Sequence, residues 1–315
     1  MLCRDALAYP ARSPPRPLPT RVRMLLDPKS LARLSTVKLR ARAVVEGVLS
    51  GLHKSPHQGQ SVEFAGHKEY APGDEIRHID WKAFGKFDKY YVKRFEHETN
   101  LRAFIAVDAS GSMNYRSAEL SKLDVACALA ASLAYLLVRQ QDAVGLLVLR
   151  EDGVRYVPPR ASAGHLQAIL EALEGLEGKG RTDLSAAADL LSEKARRRAA
   201  VFLLSDLFDE TPNALGRLLQ LRLRKNDLSI LQVLDPAELE FPFEDNALFQ
   251  SMEDERVQQA NPREIRDSYL EEFGAFLESA RRRCTEMDGQ YELIRTDEPL
   301  DRALLRYLGR RESAR

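Results

Sequence analysis

Alternation of short apolar runs with helical segments constrains the fold of this chain more than any other feature of its sequence. The strand-length apolar runs lie at residues 103–107, 143–149, 200–204 and 228–234. Segments typical of helices lie at residues 120–139, 165–176, 184–197 and 214–224. This alternation predicts an α/β fold with a mostly parallel central sheet that helices cover on both faces.

Four further elements are predicted after the second apolar run. Residues 154–157 follow the turn signal Asp152-Gly153, which indicates a hairpin and therefore one antiparallel edge strand. The remaining three are two strands, at residues 248–252 and 291–294, and a long helix between them at residues 264–287.

Oxygen-bearing side chains stand where two of the predicted strands end and where one helix begins. Because ligands of open α/β sheets bind beyond the carboxyl ends of the strands, we expect these side chains to converge. The candidate metal ligands are Asp108, Ser110, Ser112, Thr182 and Asp206. Carboxylates and hydroxyls suit a hard cation such as Mg²⁺ or Mn²⁺, whereas zinc would require histidine or cysteine.

The role of this cluster follows from its charge. Neutral hydroxyls bind a cation without neutralising it, so Asp108 and Asp206 supply most of the compensating charge. Gly111 lets the first loop bend tightly. A cation that is only partly neutralised and has an open position attracts a carboxylate from outside, which favours binding of a protein partner through an acidic residue.

A simpler interpretation is that these polar residues cap helices. Thr182 or Asp183 could cap the helix predicted from residue 184, and Asp206 could act as a cap too. Three clusters on the expected elements, in the expected order, favour the metal site over three unrelated caps.

The part of the chain before residue 101 divides by composition into three segments. Residues 1–23, rich in proline and arginine, are interpreted as a disordered tail or a mis-annotated start. Residues 24–58 contain a predicted basic-faced helix at 31–49 and a linker. Residues 59–100 are aromatic-rich, contain turn signals and are interpreted as a small β-rich subdomain. The α/β domain with its C-terminal extension is then assigned to residues 101–315.

Composition narrows the functional classes. Lysine plus arginine and aspartate plus glutamate both total 47, which argues against a dominant nucleic-acid surface. No apolar run reaches the roughly 18 residues that a membrane helix needs, so no membrane insertion is expected. The widely separated Cys3, Cys127 and Cys284 form no metal or redox pair and fit a cytoplasmic location.

The strand-end cluster resembles the metal-ion-dependent adhesion site of von Willebrand factor type A domains. The resemblance rests on Asp108-x-Ser110-x-Ser112, Thr182 and Asp206. It implies a Rossmann-like α/β fold, a Mg²⁺ site completed by a partner's acidic residue, and an Asp206 that acts through water. One departure concerns Leu207, because many relatives have glycine after the aspartate.

A second signature lies upstream, in the stretch from Tyr70 to Trp81. Its charged groups and single tryptophan form either a network that braces the β-rich subdomain or a second recognition surface. The residues assigned to this network are Asp74, Arg77, Asp80 and Trp81. With its flanking segments, the stretch resembles the bacterial "domain of unknown function 58" family. That resemblance implies an adaptor that works with a MoxR-type AAA+ ATPase in protein assembly or remodelling.

Two other functions were weighed against this non-enzymatic adaptor. A metal-dependent phosphohydrolase would need a general base, for which Asp183 is the best candidate, because His165 is expected to cap a helix or lie on the surface. A nucleic-acid-binding module could use the arginine runs at residues 196–198 and 281–283, which are more simply interpreted as solvated helix ends. We therefore expect a Mg²⁺-dependent (or Mn²⁺-dependent) protein-binding adaptor and no nucleic-acid partner.

Overall fold

A computed structural model describes most of the chain from residue 101 onwards and short pieces before it. The described residues are 31–32, 34–52, 68–69, 91–92, 101–195, 198–208, 213–245, 247–253 and 256–313. Of the segment interpreted as β-rich, this includes only two short strands, β1 (Lys68–Glu69) and β2 (Tyr91–Val92), which pair antiparallel. The predicted tail at residues 1–23 lies outside the described residues.

Six strands form the central sheet. In chain order they are β3 (Arg102–Asp108), β4 (Ala143–Arg150), β5 (Gly153–Arg160), β6 (Ala200–Ser205), β7 (Asp227–Leu234) and β10 (Gln290–Arg295). Across the sheet the order is β10-β7-β6-β3-β4-β5, and β5 alone runs antiparallel. The parallel sheet with one antiparallel edge strand is therefore confirmed. Because β3 and β6 are parallel neighbours, their carboxyl ends, with Asp108 and Asp206, meet at one edge.

Helices cover both faces of the sheet. On one side lie α1 (Val37–Leu52), α2 (Lys122–Arg139), α3 (Ala163–Leu173) and α8 (Leu300–Ser313), and on the other α4 (Leu184–Lys194), α5 (Ala214–Leu219) and α7 (Pro262–Glu286). Two shorter elements, a 3-10 turn at Gly111–Asn114 and helix α6 (Pro236–Glu240), lie at the edge where β3 and β7 end.

The period-two pattern of β3 explains the two apolar layers. Ile105 and Val107 face the layer that contains α2, whereas Phe104 and Ala106 face the layer that contains α4. All four side chains are fully buried, as expected for a strand that helices cover on both faces.

Two sequence expectations are refined by the structure, and one helix is new. Of the helix predicted at residues 31–49, residues 31–32 are helical and residues 34–36 are not; α1 then begins at Val37 and docks on α2 with Arg40 paired to Asp124 at 2.6 Å. The strand predicted at residues 248–252 is β8 (Ala247–Gln250), which lies outside the main sheet and pairs with β9 (Val257–Ala260). Helix α8 was not predicted.

None of the helices in the described part of the chain is both long enough and apolar enough to cross a membrane.

Candidate metal-binding site

Asp108, at the end of β3, is held by neutral donors. Its Oδ1 accepts hydrogen bonds from the Thr182 hydroxyl at 2.8 Å and from the Ser110 backbone N–H at 3.0 Å. Its Oδ2 accepts one from the Ser205 hydroxyl at 2.6 Å. Three hydrogen-bond donors therefore fix both oxygens, and none of the three carries a charge.

The loop after β3 and the loop before α4 are in backbone contact. The Gly111 N–H donates to the Gly180 carbonyl at 2.8 Å, and a methyl group built at Gly178 would lie 2.2 Å from the Ser110 carbonyl oxygen. Glycine is thus required at residue 178 for the loops to approach this closely. Their contact brings Thr182 to Asp108 and leaves the Ser110 and Ser112 hydroxyls 3.0 Å apart. The structure therefore places four of the five predicted ligands together.

Asp206, the fifth predicted ligand, has a cationic partner. The Nζ of Lys122, a fully buried residue, donates to Asp206 Oδ2 at 2.8 Å and to Glu238 Oε1 at 2.6 Å. The same ammonium lies 4.9 Å from the centroid of the Phe208 ring, within cation–π range. The expectation that Asp206 mainly compensates a bound metal is therefore incomplete, because a lysine already shares its charge.

The pKa shifts follow from burial and charge. Burial, followed by the charge of Asp206, raises the pKa of Asp108, although its three hydrogen bonds oppose the shift. Burial disfavours the Lys122 ammonium, but its interactions with Asp206 and Glu238 outweigh this, so the pKa of Lys122 is raised. The contribution of Asp206 to both shifts reflects the negative charge at this edge.

The donor chemistry fits a hard cation. Within the described residues, no group of three or more His, Cys, Asp and Glu side chains is arranged to hold a metal ion. A cation at this edge would therefore depend on hydroxyl oxygens as well as carboxylates, as Mg²⁺ and Mn²⁺ readily do. The residues that would hold it are Asp108, Ser110, Ser112 and Thr182, with Asp206 close by.

The departure at Leu207 preserves a glycine-like backbone. Leu207 has φ +65°, the left-handed region that glycine enters without strain. Its side chain is buried, and its N–H donates to the Ser205 hydroxyl at 2.9 Å. Leucine is therefore strained in this left-handed backbone conformation, but its side chain gains apolar burial.

The capping interpretation is correct for one residue of the three considered. Asp183 is the N-cap of α4 and accepts the Ser185 N–H at 2.7 Å, whereas Thr182 turns to Asp108 and Asp206 to Lys122. The carboxylate proposed as a general base is thus engaged in helix capping.

His165 differs from expectation as well. It is buried, and its Nε2 donates to the Val144 carbonyl at 2.8 Å, so it joins α3 to the sheet. The arginines at residues 281–283 do lie in the last turns of α7, mostly exposed. Of the other arginine run, residues 196 and 197 lie outside the described residues.

Sequence reasoning missed Lys122, Glu238 and the positioning role of Ser205. Lys122 stands at the start of a helix that is otherwise alanine- and leucine-rich. A lysine on a face that packs into the core was a usable signal, because a buried ammonium requires a carboxylate partner. Glu238 gave no such signal, because it lies more than 100 residues further along the chain.

The upstream network of Asp74, Arg77, Asp80 and Trp81 lies outside the described residues. The choice between a structural brace and a recognition surface therefore stays a prediction.

The sequence matches one protein-family model and is similar to several known proteins. Residues 66–275 match the sequence model of the family described as "Protein of unknown function DUF58". The uncharacterized protein Rv1480 of Mycobacterium tuberculosis is 28% identical over 230 residues, which are 72% of each chain.

Two solved structures are also similar. The conserved hypothetical protein BatB from Bacteroides thetaiotaomicron has 18% identity and a TM-score of 0.43, over 68% of this chain and 99% of that one. The SpRpn10 VWA domain has 9% identity and a TM-score of 0.37, over 65% of this chain and 93% of that one.

The family match covers well over half of the chain, and the α/β sheet described above lies largely within the matched residues. The chain belongs to the DUF58 family, and its α/β domain has a mostly parallel sheet that helices cover on both faces.

Proposed function

We propose that this protein is a non-enzymatic adaptor that binds protein partners through a divalent cation, Mg²⁺ or Mn²⁺. The cation is held by Asp108, Ser110, Ser112 and Thr182, with Asp206 nearby. An acidic residue of the partner completes its coordination. A bound cation of this kind acts as a Lewis acid that attracts carboxylate oxygen.

The observation that carries the proposal is the excess of negative charge at the carboxyl edge of the sheet. Three carboxylates, those of Asp108, Asp206 and Glu238, lie at this edge, and the buried Lys122 ammonium pairs with only Asp206 and Glu238. Burial is the main reason that the pKa values of Asp108 and Glu238 are raised. A divalent cation bound to Asp108 and the hydroxyls would offset this charge.

Access to the site supports binding of a macromolecule. A cavity of about 430 Å³ opens beside Ser112; its lining includes the carboxylates of Glu238 and Glu253 and an apolar wall formed by Leu207, Phe208, Met252 and Phe276. An acidic side chain of a partner could therefore approach the hydroxyls from solvent while neighbouring partner residues contact an apolar wall.

Membership of the DUF58 family adds the proposed partner class. We propose that the adaptor works with a MoxR-type AAA+ ATPase in assembling or remodelling other proteins. In that arrangement the ATPase supplies energy and this chain supplies selective, cation-dependent contact with the ATPase or its client.

The experiment is an affinity capture from a lysate of the source cells, identified by mass spectrometry. Wild type and Asp108→Ala are compared in Mg²⁺ and in EDTA. We expect partners, an AAA+ ATPase among them, that are retained by the wild type in Mg²⁺ and lost in the other conditions. The affinity of each purified partner is then measured by titration with and without Mg²⁺.

The matched control is Asp189→Ala, which removes an exposed carboxylate from α4, away from the strand-end loops. It should retain the same partners as the wild type. Partners that are indifferent both to EDTA and to Asp108→Ala would overturn the proposal.

A further inference from the structure

The hairpin β8–β9 brings a segment of this chain directly onto the candidate site. Its turn is closed by a hydrogen bond from the Ser251 N–H to the Arg256 carbonyl at 2.8 Å. A methyl group built at Gly111 would lie 2.0 Å from the Met252 carbonyl oxygen. Gly111 is not among the residues with positive φ. The close approach of the hairpin, rather than a tight bend, is therefore what requires glycine there.

Glu253, the next residue of this turn, faces the predicted ligands. Its side chain and that of Ser112 line the same cavity. Burial raises the pKa of the Glu253 carboxyl, the Ser112 hydroxyl opposes this rise, and the charges of Asp206 and Asp108 add to it. Its side chain is only 16% exposed, and its guanidinium partner, Arg181, is 4.0 Å away and 44% exposed. Glu253 is thus a largely buried carboxylate at the same hydroxyl groups that would hold the cation.

The position of Glu253 carries an electrostatic cost that a bound cation would relieve. It adds a further negative charge beside Asp108 and Asp206, and an exposed guanidinium at 4.0 Å offsets little of that repulsion. A carboxylate oxygen near the Ser112 hydroxyl has the chemistry that Mg²⁺ and Mn²⁺ prefer. The repulsion becomes attraction when a divalent cation lies among these oxygens.

We propose that Glu253 is a ligand of this cation supplied by the chain itself, occupying the position that a partner's acidic residue takes. This inference rests on the proposed function and adds to it. Partner binding then requires that Glu253 be displaced, so the hairpin competes with the partner.

The hairpin lies outside the main sheet. Strands β8 and β9 pair with each other and not with the six-stranded sheet, so displacing them breaks no hydrogen bond of that sheet. Leu248 and Val257 are largely exposed, whereas Phe249 packs on the Phe241 ring with 5.9 Å between the centroids. Displacing the turn therefore breaks its contacts with the loop around Gly111, and displacing the whole hairpin also breaks the contact of Phe249.

The test is Mn²⁺ binding to the 315-residue chain, compared between wild type and Glu253→Gln. Calorimetric titration gives the affinity, and water-proton relaxation gives the number of water molecules on the bound Mn²⁺. We expect Glu253→Gln to weaken Mn²⁺ binding on the order of tenfold or more. We also expect it to increase the number of bound waters by one, because water replaces the lost carboxylate.

Glu244→Gln is the matched control, since it neutralises an exposed carboxylate close to the hairpin in sequence. It should leave both the affinity and the water count unchanged. Circular dichroism of each variant before and after addition of Mn²⁺ checks that the fold is retained.

The outcomes separate this inference from the proposed function. Mn²⁺ binding that requires Asp108 but has the same affinity and water count in Glu253→Gln overturns only the role of Glu253. Tighter binding in Glu253→Gln also overturns it, because Glu253 would then compete with the cation. Failure of the wild type to bind Mn²⁺ overturns the proposed function and this inference together.

Discussion

Asp108 and Asp206 follow neighbouring parallel strands, yet the protein supports their charges in different ways. Asp108 is surrounded by hydroxyls and a backbone N–H, all of them neutral. Asp206 faces the buried ammonium of Lys122, which Glu238 shares. We call these regions the hydroxyl half and the lysine half of the site.

The difference shows how one sheet edge can combine a permanent cation with an exchangeable one. A covalently attached ammonium permanently offsets part of the negative charge of the lysine half. The hydroxyl half has no such group, so its charge depends on what binds there. Four predictions test this contrast, from the largest expected effect to the smallest.

Lys122→Met should destabilise the protein most, because it leaves two carboxylates buried without their cation. The expected loss in the free energy of unfolding is about 3–5 kcal/mol, measured by urea denaturation. Lys194→Met is the control, since that lysine pairs with Glu193 at the surface and its loss should have no measurable effect. Equal stability of the two variants would show that Lys122 does not hold the lysine half together.

Neutralising each aspartate in EDTA should have unequal effects. Asp206→Asn should lower the free energy of unfolding by about 2 kcal/mol, because Lys122 loses a buried, charged acceptor. Asp108→Asn should leave it unchanged or higher. Because burial and Asp206 raise the pKa of Asp108, the wild type loses stability as the pH rises from 3.8 through the folded pKa, and asparagine removes that cost.

Urea denaturation at pH 7 compares the two aspartate variants directly. The contrast fails if Asp108→Asn is the more destabilised of the pair. A steeper dependence of stability on pH above 3.8 in Asp108→Asn than in the wild type would contradict the sign argued here.

Ser205→Ala tests the hydroxyl half through a residue outside the predicted ligand set. The Ser205 hydroxyl donates to Asp108 Oδ2 and accepts from the Leu207 N–H, so alanine removes the hydrogen-bond partner of both atoms, while Asp108 Oδ1 keeps its two donors. The expected loss is about 1–3 kcal/mol. Ser185→Ala is matched to it, because the Ser185 hydroxyl is buried and has no hydrogen-bond partner among the described residues. Thermal denaturation should rank Ser185→Ala at or above the wild type and Ser205→Ala below it.

Leu207 offers the smallest and sharpest test. Both Leu207→Ala and Leu207→Gly lose apolar burial, but only alanine keeps the strain of φ +65°. We expect the glycine variant to be more stable than the alanine variant by about 1 kcal/mol. In α4 the order should reverse, with Ala187→Gly destabilising by about 1 kcal/mol. Stability is measured by urea denaturation. If alanine is more stable than glycine at residue 207 as well as at residue 187, residue 207 is not strained.

The layered α/β fold and the set of oxygens at its edge can be inferred from the sequence alone. Strands β3 and β6 were predictable because helices cover both faces, so their apolar runs are nearly continuous. Asp108 and Asp206 could be placed at one edge because parallel strands carry their carboxyl ends to the same side. These inferences depend on local periodicity and chain direction, which a sequence displays.

The balance of charges at this edge depends on contacts that form only in the folded protein. Lys122, Glu238 and Glu253 come from a helix start, a short helix after β7 and a hairpin outside the sheet. No periodicity in the sequence of the hairpin predicts its contact with the loop at Gly111. Such contacts join residues more than 100 positions apart, and they arise from packing and electrostatics between elements rather than from any local pattern.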